Sequence, residues 1–231
     1  DYDWVSNYAR HQAYLTKGIL ITVADERSGA HESFYFEGGI KSYVKRLNNG
    51  KELLSDDIFY VDKQVKDTGV EIALQYNDSY AETMKPFANN VLTPDGGMHV
   101  VGFRTGLTRT INDYARRNNL LKEKDDNLTG DDIKEGLTAV ILVKLPDPQF
   151  EGQTKNKLGN PEMRGYVDKD TSEYFAYYLE EHPDNTAAAI VPANATLNIF
   201  CLALNLSIEK ILIFFIILSP SIISILYLGK K

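Results

Sequence analysis

Leu137-Thr-Ala-Val-Ile-Leu-Val-Lys-Leu145 is a nearly continuous apolar run. A segment of this length with no polar alternation reads as a strand buried on both faces of a sheet. Pro146-Asp147-Pro148 ends its pairing, because proline lacks the donor that a ladder needs. Upstream, Thr129 before Gly130-Asp131-Asp132 is a helix start with acidic groups in the first turn, where they complement the helix dipole. Further upstream, Val100, Phe103, Leu107, Ile111 and Tyr114 run down one face of a helix predicted to start at Thr93-Pro94-Asp95 and to end near Asn118-Asn119. Its other face carries Arg104, Arg109 and Arg116.

Three strands are expected before that helix, at about 58–65, 70–76 and 79–87, each rich in β-branched or aromatic residues and bounded by Gly, Asn or Asp. Ile40, Tyr43, Val44 and Leu47 recur at helical spacing between Gly38-Gly39 and Asn48-Asn49-Gly50. Residues 19–24 and 33–36 flank a polar turn as a hairpin would, and residues 1–13 read as the last turns of a helix. Downstream, a polar loop over about 151–160 leads into a helix from Glu162 to Glu181, with Val167, Phe175, Tyr178 and Leu179 as its buried stripe. Strands mixed with helices in this order give an α+β class.

The chain has 231 residues, 43% hydrophobic, and a formal charge of −7. That is ample for a packed core, and it argues against a surface coated with basic groups for nucleic acid, so any DNA contact has to be local. Cys201 is the one cysteine and the four histidines are scattered, which excludes an intrachain disulfide, argues against a zinc site and fits a reducing cytosol. Asp1 is preceded by no methionine and followed by no secretory signal pattern, so the chain reads as cut from a longer one.

Seven strings occur in order between about residues 10 and 190: LTKG, YFEGGIKSYV, LQYND, FANN, DGGMHVVGFRTGLTRTINDYA, LTGDDIKEGLTAV and KLPDPQFEGQTKNKLGN. Together they resemble the ATPase subunits of bacterial type II DNA topoisomerases, the gyrase B type first and its topoisomerase IV paralogue second. The resemblance implies an N-terminal ATPase domain of the gyrase, Hsp90, histidine-kinase and MutL (GHKL) type, ending at residue 39. It implies a transducer domain over 40–190, a ribosomal-protein-like domain 2 fold with mixed β-sheet, packed helices and an uncommon left-handed βαβ crossover. ATP and Mg2+ are the implied cofactors of the full-length protein. DNA, a gyrase A-type subunit and a second copy of the gyrase B protein are its implied partners, in the cytoplasm.

On this mapping Lys155 reaches across the domain boundary to the ATP γ-phosphate, with Gln153 and Thr154 beside it. The chemistry is apt: phosphoryl transfer is catalysed mainly by positioning and charge neutralisation, and a lysine supplies a compact movable cation. Read from spacing alone, a lysine in a polar loop is more often just solvated. Arg104 is a possible contact in the DNA-sized cavity that paired transducers enclose, attracting phosphates without reading sequence. For Arg109 and Arg116 a surface salt bridge is at least as good a reading. Asp131, Asp132 and Glu135 read as helix-end and surface charges, and His99 as a packed or capping histidine.

The resemblance places the Mg2+-binding Asn, the general-base Glu, the adenine-reading Asp and the glycine-rich lid upstream of this chain, and the DNA-cleavage carboxylates downstream. This chain alone is therefore expected neither to hydrolyse ATP nor to cut DNA. From about Pro192 the family pattern stops. Residues 211–228 are apolar and long enough for a membrane span, with Lys210 and Lys230-Lys231 at the ends. The composition of 191–231, dominated by residues that AT-rich DNA encodes, favours translation out of frame or past a gene end over a membrane anchor. A membrane-tethered interaction module that kept the fold and lost the chemistry is the competing reading.

Overall fold

The computed structural model describes residues 1–182; the apolar tail at 191–231 lies outside them. Five helices are described, α1 (Tyr2–Leu15), α2 (Ile40–Leu47), α3 (Met98–Arg117), α4 (Gly130–Lys134) and α5 (Glu162–Glu181). The strands are β1 (Ile21–Asp25), β2 (Ala30–Phe34), β3 (Phe59–Val65), β4 (Thr68–Tyr76), β5 (Thr83–Ala88), β6 (Val91–Leu92), β7 (Leu137–Lys144), β8 (Phe150–Glu151) and β9 (Lys157–Leu158). The architecture is α+β, as expected.

The run at 137–145 is the centre of a five-stranded sheet of order β3-β4-β7-β5-β6. On one side β7 pairs antiparallel with β4, Ile141 opposite Ile72; on the other it pairs parallel with β5, with Ile141 opposite Pro86. A parallel neighbour needs a crossover, and α3 lies in that connection, followed by α4. All of Leu137 to Val143 is buried because both faces of the sheet are covered. One face packs Ala73, Phe87, Val140 and Leu142 against Tyr14 and Leu15 of α1 and Ile40, Tyr43 and Val44 of α2. This core crosses the expected boundary at 39/40.

The other face carries α5, which packs on β3 and β4 and lies along α3. Phe175 of α5 meets Phe59 edge to face at 5.1 Å between ring centroids. Phe175 and Phe103 are both fully buried, and truncating either to alanine is expected to cost about 3–5 kcal/mol. Helices α3 and α5 approach closely because Gly102 and Gly106 present no side chain: the carbonyls of Arg164 and Asp168 lie where a Cβ would sit. At the far end of the sheet Asn48, Gln75, Asn77 and Thr138 form a buried network in which Thr138 Oγ1 donates to Asn48 Oδ1 at 2.6 Å. Each of these side chains has a partner, which avoids the desolvation cost of an orphan.

Several expectations need adjusting. Helix α3 starts at Met98 rather than at Thr93, because Gly96 and Gly97 take positive φ of 74° and 132° and keep the chain out of the helix until then. Thr93 caps nothing; its hydroxyl donates to Pro86 O at 3.2 Å. The third strand of the expected trio starts at Thr83, since Asn77 turns the chain by accepting from Ser79 N at 3.0 Å. The Thr129 start is a full capping box, Asp132 N to Thr129 Oγ1 and Thr129 N to Asp132 Oδ2. The polar loop after β7 contains the short β8–β9 hairpin.

Candidate functional site

The hairpin formed by β8 and β9 carries Gln153, Thr154 and Lys155 at its tip, all three exposed. Two unusual backbone conformations make the reversal: Gly152 at φ 78° and Lys155 at φ 56°, with Lys155 N donating to Gly152 O at 3.3 Å. Glycine enters that region freely, whereas for a lysine it costs about 1–2 kcal/mol. Among the described residues no carboxylate pairs with Lys155. Its Nζ lies 5.8 Å from the centroid of the Phe150 ring, so the side chain lies over the stem with its charge in solvent. Lys157, by contrast, is engaged in an ion pair with Glu151 at 3.1 Å across the stem.

Two strands of two residues hold their own direction poorly, and the stem is fixed from outside. Leu158 N donates to Gly96 O and Asp95 N donates to Asn156 O, both at 3.0 Å, joining β9 to the turn that opens α3. Leu158 itself is fully buried. At the other root, Gly159 N donates to Gln149 O at 2.7 Å and the buried Asn160 accepts from Gln149 N at 2.6 Å. The glycine pair and Asn160 escaped the reading of the sequence as functional, although the Gly-Gly step before an apolar helix was a visible signal.

The expected arginines have different fates. Arg104 Nη2 donates to Glu82 Oε2 at 2.8 Å, with its guanidinium still partly in solvent. Arg109 takes the salt-bridge alternative, to Asp168 at 2.6 Å and to Ser172 Oγ at 2.7 Å. Arg116 makes no salt bridge among the described residues; it donates to Asn127 Oδ1 and to the carbonyls of Lys122 and Asp125, clamping the loop after α3. His99 is fully buried, with Nε2 3.3 Å from Thr93 Oγ1 and Nδ1 unpartnered, and burial holds its pKa down to about 4. It is a packed histidine. Asp131 pairs with Lys134 at 2.7 Å and Asp132 serves the capping box.

Gln153, Thr154 and Lys155 suit phosphate oxygens: an amide, a hydroxyl and a cation on one exposed turn. Among the described residues no group of three His, Cys, Asp or Glu side chains converges.

The family model described as DNA gyrase B matches residues 39–196. The chain belongs to the DNA gyrase B family. The match runs four residues past Pro192, where the family pattern was expected to stop. Within the family, the DNA gyrase B protein of Clostridium acetobutylicum is 54% identical over 184 residues, covering 79% of this chain and 29% of the relative. That of Halalkalibacterium halodurans is 50% identical over 184 residues, with the same coverage of 79% and 29%. The chain thus spans less than a third of the length of the curated relatives it matches. Among solved structures, the 43K ATPase domain of Thermus thermophilus gyrase B, in complex with an aminocoumarin, superposes with a TM-score of 0.74 at 34% identity over 89% of this chain and 52% of that one. The topoisomerase IV ATP-binding domain of Francisella tularensis gives 0.73 at 25% identity, covering 89% and 54%. The mixed fold is therefore that of the ATPase region of these proteins.

Proposed function

We propose that this chain is part of the ATPase subunit of DNA gyrase, an ATP-dependent type II topoisomerase, and that residues 40–190 are its transducer, with residues 1–39 the end of the GHKL ATPase domain. The boundary is supported by the family match, which starts at 39. The parallel β5–α3–β7 connection is the element that would carry the family's left-handed crossover. Gyrase is preferred to topoisomerase IV because the relatives at 54% and 50% identity are gyrase B proteins.

One observation carries the reading. Lys155 is held in a costly backbone conformation, with no ion-pair partner among the described residues, at the exposed tip of a hairpin whose stem is tied to α3 and leads into α5. Local strain of this kind persists where the surroundings over-determine it, and it concentrates at functional sites. Lys155 neutralises charge on the γ-phosphate, Gln153 and Thr154 add hydrogen bonds, and the hairpin docks only when those oxygens are present. Docking then turns nucleotide state into movement of α3 and α5, which drives strand passage and supercoiling. The ATP and its Mg2+ are held by the rest of the full-length protein; DNA, a gyrase A-type subunit and a second copy of the gyrase B protein complete the working complex, in the cytoplasm and without a membrane. This chain alone is inactive.

A γ-phosphate photoaffinity analogue of ATP tests this directly in the full-length protein. Label on the peptide that contains residues 152–156 is the expected result. Label confined to other peptides would refute the phosphate contact.

A further inference from the structure

The β8–β9 stem is too short to aim its own tip, since it pairs only Phe150 with Leu158 and Glu151 with Lys157. Its direction is set where the chain enters and leaves. One side chain touches both places and a third. Asn160 is 3% exposed; its Oδ1 accepts from Gln149 N at 2.6 Å, and its Nδ2 donates to Asp147 O at 3.1 Å and to Glu162 Oε1 at 2.8 Å. Asp147 and Gln149 precede the hairpin, Asn160 follows it, and Glu162 is the first residue of α5. The Asn160 carbonyl also accepts from Met163 N at 3.2 Å in the first turn of that helix. A carboxamide is the one neutral side group that accepts on one atom and donates twice from the other, which is what these three partners require.

We infer that Asn160 is the positioning residue for Lys155: it locks the hairpin root to the start of α5, so that the tip points in one direction and its docking is delivered to the helix. The inference rests on the reading of Lys155 as a phosphate contact. Asn160 touches no substrate in this account. Its effect runs through Lys155 alone, because a tip that strays by about 1 Å loses the order of 100-fold in rate while recognition of the adenine, made elsewhere, is untouched.

The test is a double-mutant cycle on ATP turnover in the full-length protein. Asn160→Ala is expected to lower kcat by about 10-fold or more and to change KM for ATP by less than about twofold. In a Lys155→Ala background the same change should cost less than about twofold further, since a lost aim does not matter once the cation is gone. A rescue variant guards against misfolding. Asn160→Asp with Glu162→Gln keeps the acceptor for Gln149 N and reverses the donor towards position 162 but leaves Asp147 O without its donor, and it should recover kcat in part. Asn160→Asp alone, which sets a second carboxylate against Glu162, should not. Equal losses from Asn160→Ala in both backgrounds, or no recovery in the paired variant, would overturn the positioning role and leave the phosphate contact standing. Turnover unaffected by Lys155→Ala would instead remove the phosphate contact, and the inference with it.

Discussion

Gly97 and Leu158 meet backbone to backbone: a Cβ on Gly97 would overlap the amide and carbonyl of Leu158, with Leu158 N 2.5 Å away. This contact brings the start of α3 against the strand that leaves the Lys155 hairpin, and glycine alone provides both the space and the φ of 132°.

Gly97→Ala should therefore destabilise the chain by about 2–4 kcal/mol, as overlap and backbone strain add. Gly152→Ala, at φ 78° but with nothing within 4 Å, should cost only about 1 kcal/mol. Urea unfolding of the two variants measures the difference. Equal costs would mean that the close approach does not constrain the hairpin.

The α3–α5 pair offers a second contrast. Gly106→Ala would bring a Cβ to 2.8 Å from Asp168 O, and forcing the helices apart is expected to cost about 1–3 kcal/mol. Arg109→Ala removes a 2.6 Å ion pair to the same Asp168, yet the arginine side chain is 50% exposed and the loss should stay below about 1 kcal/mol. Thermal unfolding of both variants decides whether close packing or the ion pair holds the helices together.

How much of this was legible in the sequence follows from which residues carried a periodic signal. The Leu137–Leu145 run, the α3 stripe and the Thr129 capping box were readable, because each rests on side chains whose burial or capping is local. Thr93-Pro94-Asp95 has the chemistry of a cap, yet α3 starts later, because Gly96 and Gly97 take positive φ and Asp95 N is drawn to Asn156 O by a long-range bond. The β8–β9 hairpin was hidden for the same reason: two-residue strands have no period, and their stability comes from Gly96, Gly97 and Asn160. At the candidate site, Gln153 to Lys155 stood out by family resemblance. The positive φ of Lys155 could be seen only in three dimensions.

Acid should unfold the protein partly through His99. Burial lowers its pKa from 6.5 to about 4, so the unfolded chain binds the extra proton first. Stability from this group is complete above pH 6.5 and is lost as pH falls towards 4, by roughly 3 kcal/mol at most. The carboxyls of the half-buried Glu71 and the buried Asp170 have raised pKa values, mainly through desolvation, and act in the opposite sense. The difference between wild type and His99→Gln isolates the histidine: the variant should show a flatter stability profile between pH 6.5 and 4. Parallel profiles would mean that His99 is already charged in the fold.

Arg104 is held by Glu82 but keeps 43% of its side chain in solvent. If it faces DNA in the paired gyrase B proteins, Arg104→Ala should weaken binding equally for all sequences and reduce the slope of log K against log salt by about 1. An unchanged slope would assign Arg104 to its ion pair alone.

The most direct test of the central claim is ATP turnover by the full-length protein carrying Lys155→Ala. Loss by orders of magnitude is predicted, with ATP binding much less affected, because a cation aimed at the transferring phosphoryl group acts mostly in the transition state. Lys155→Arg should recover little, since a planar guanidinium does not fit the place of a compact ammonium. Lys157→Ala, which breaks only the exposed pair with Glu151, should change turnover little. Equal losses at Lys155 and Lys157 would mean that general loop charge explains the effect, and full turnover in Lys155→Ala would contradict the account.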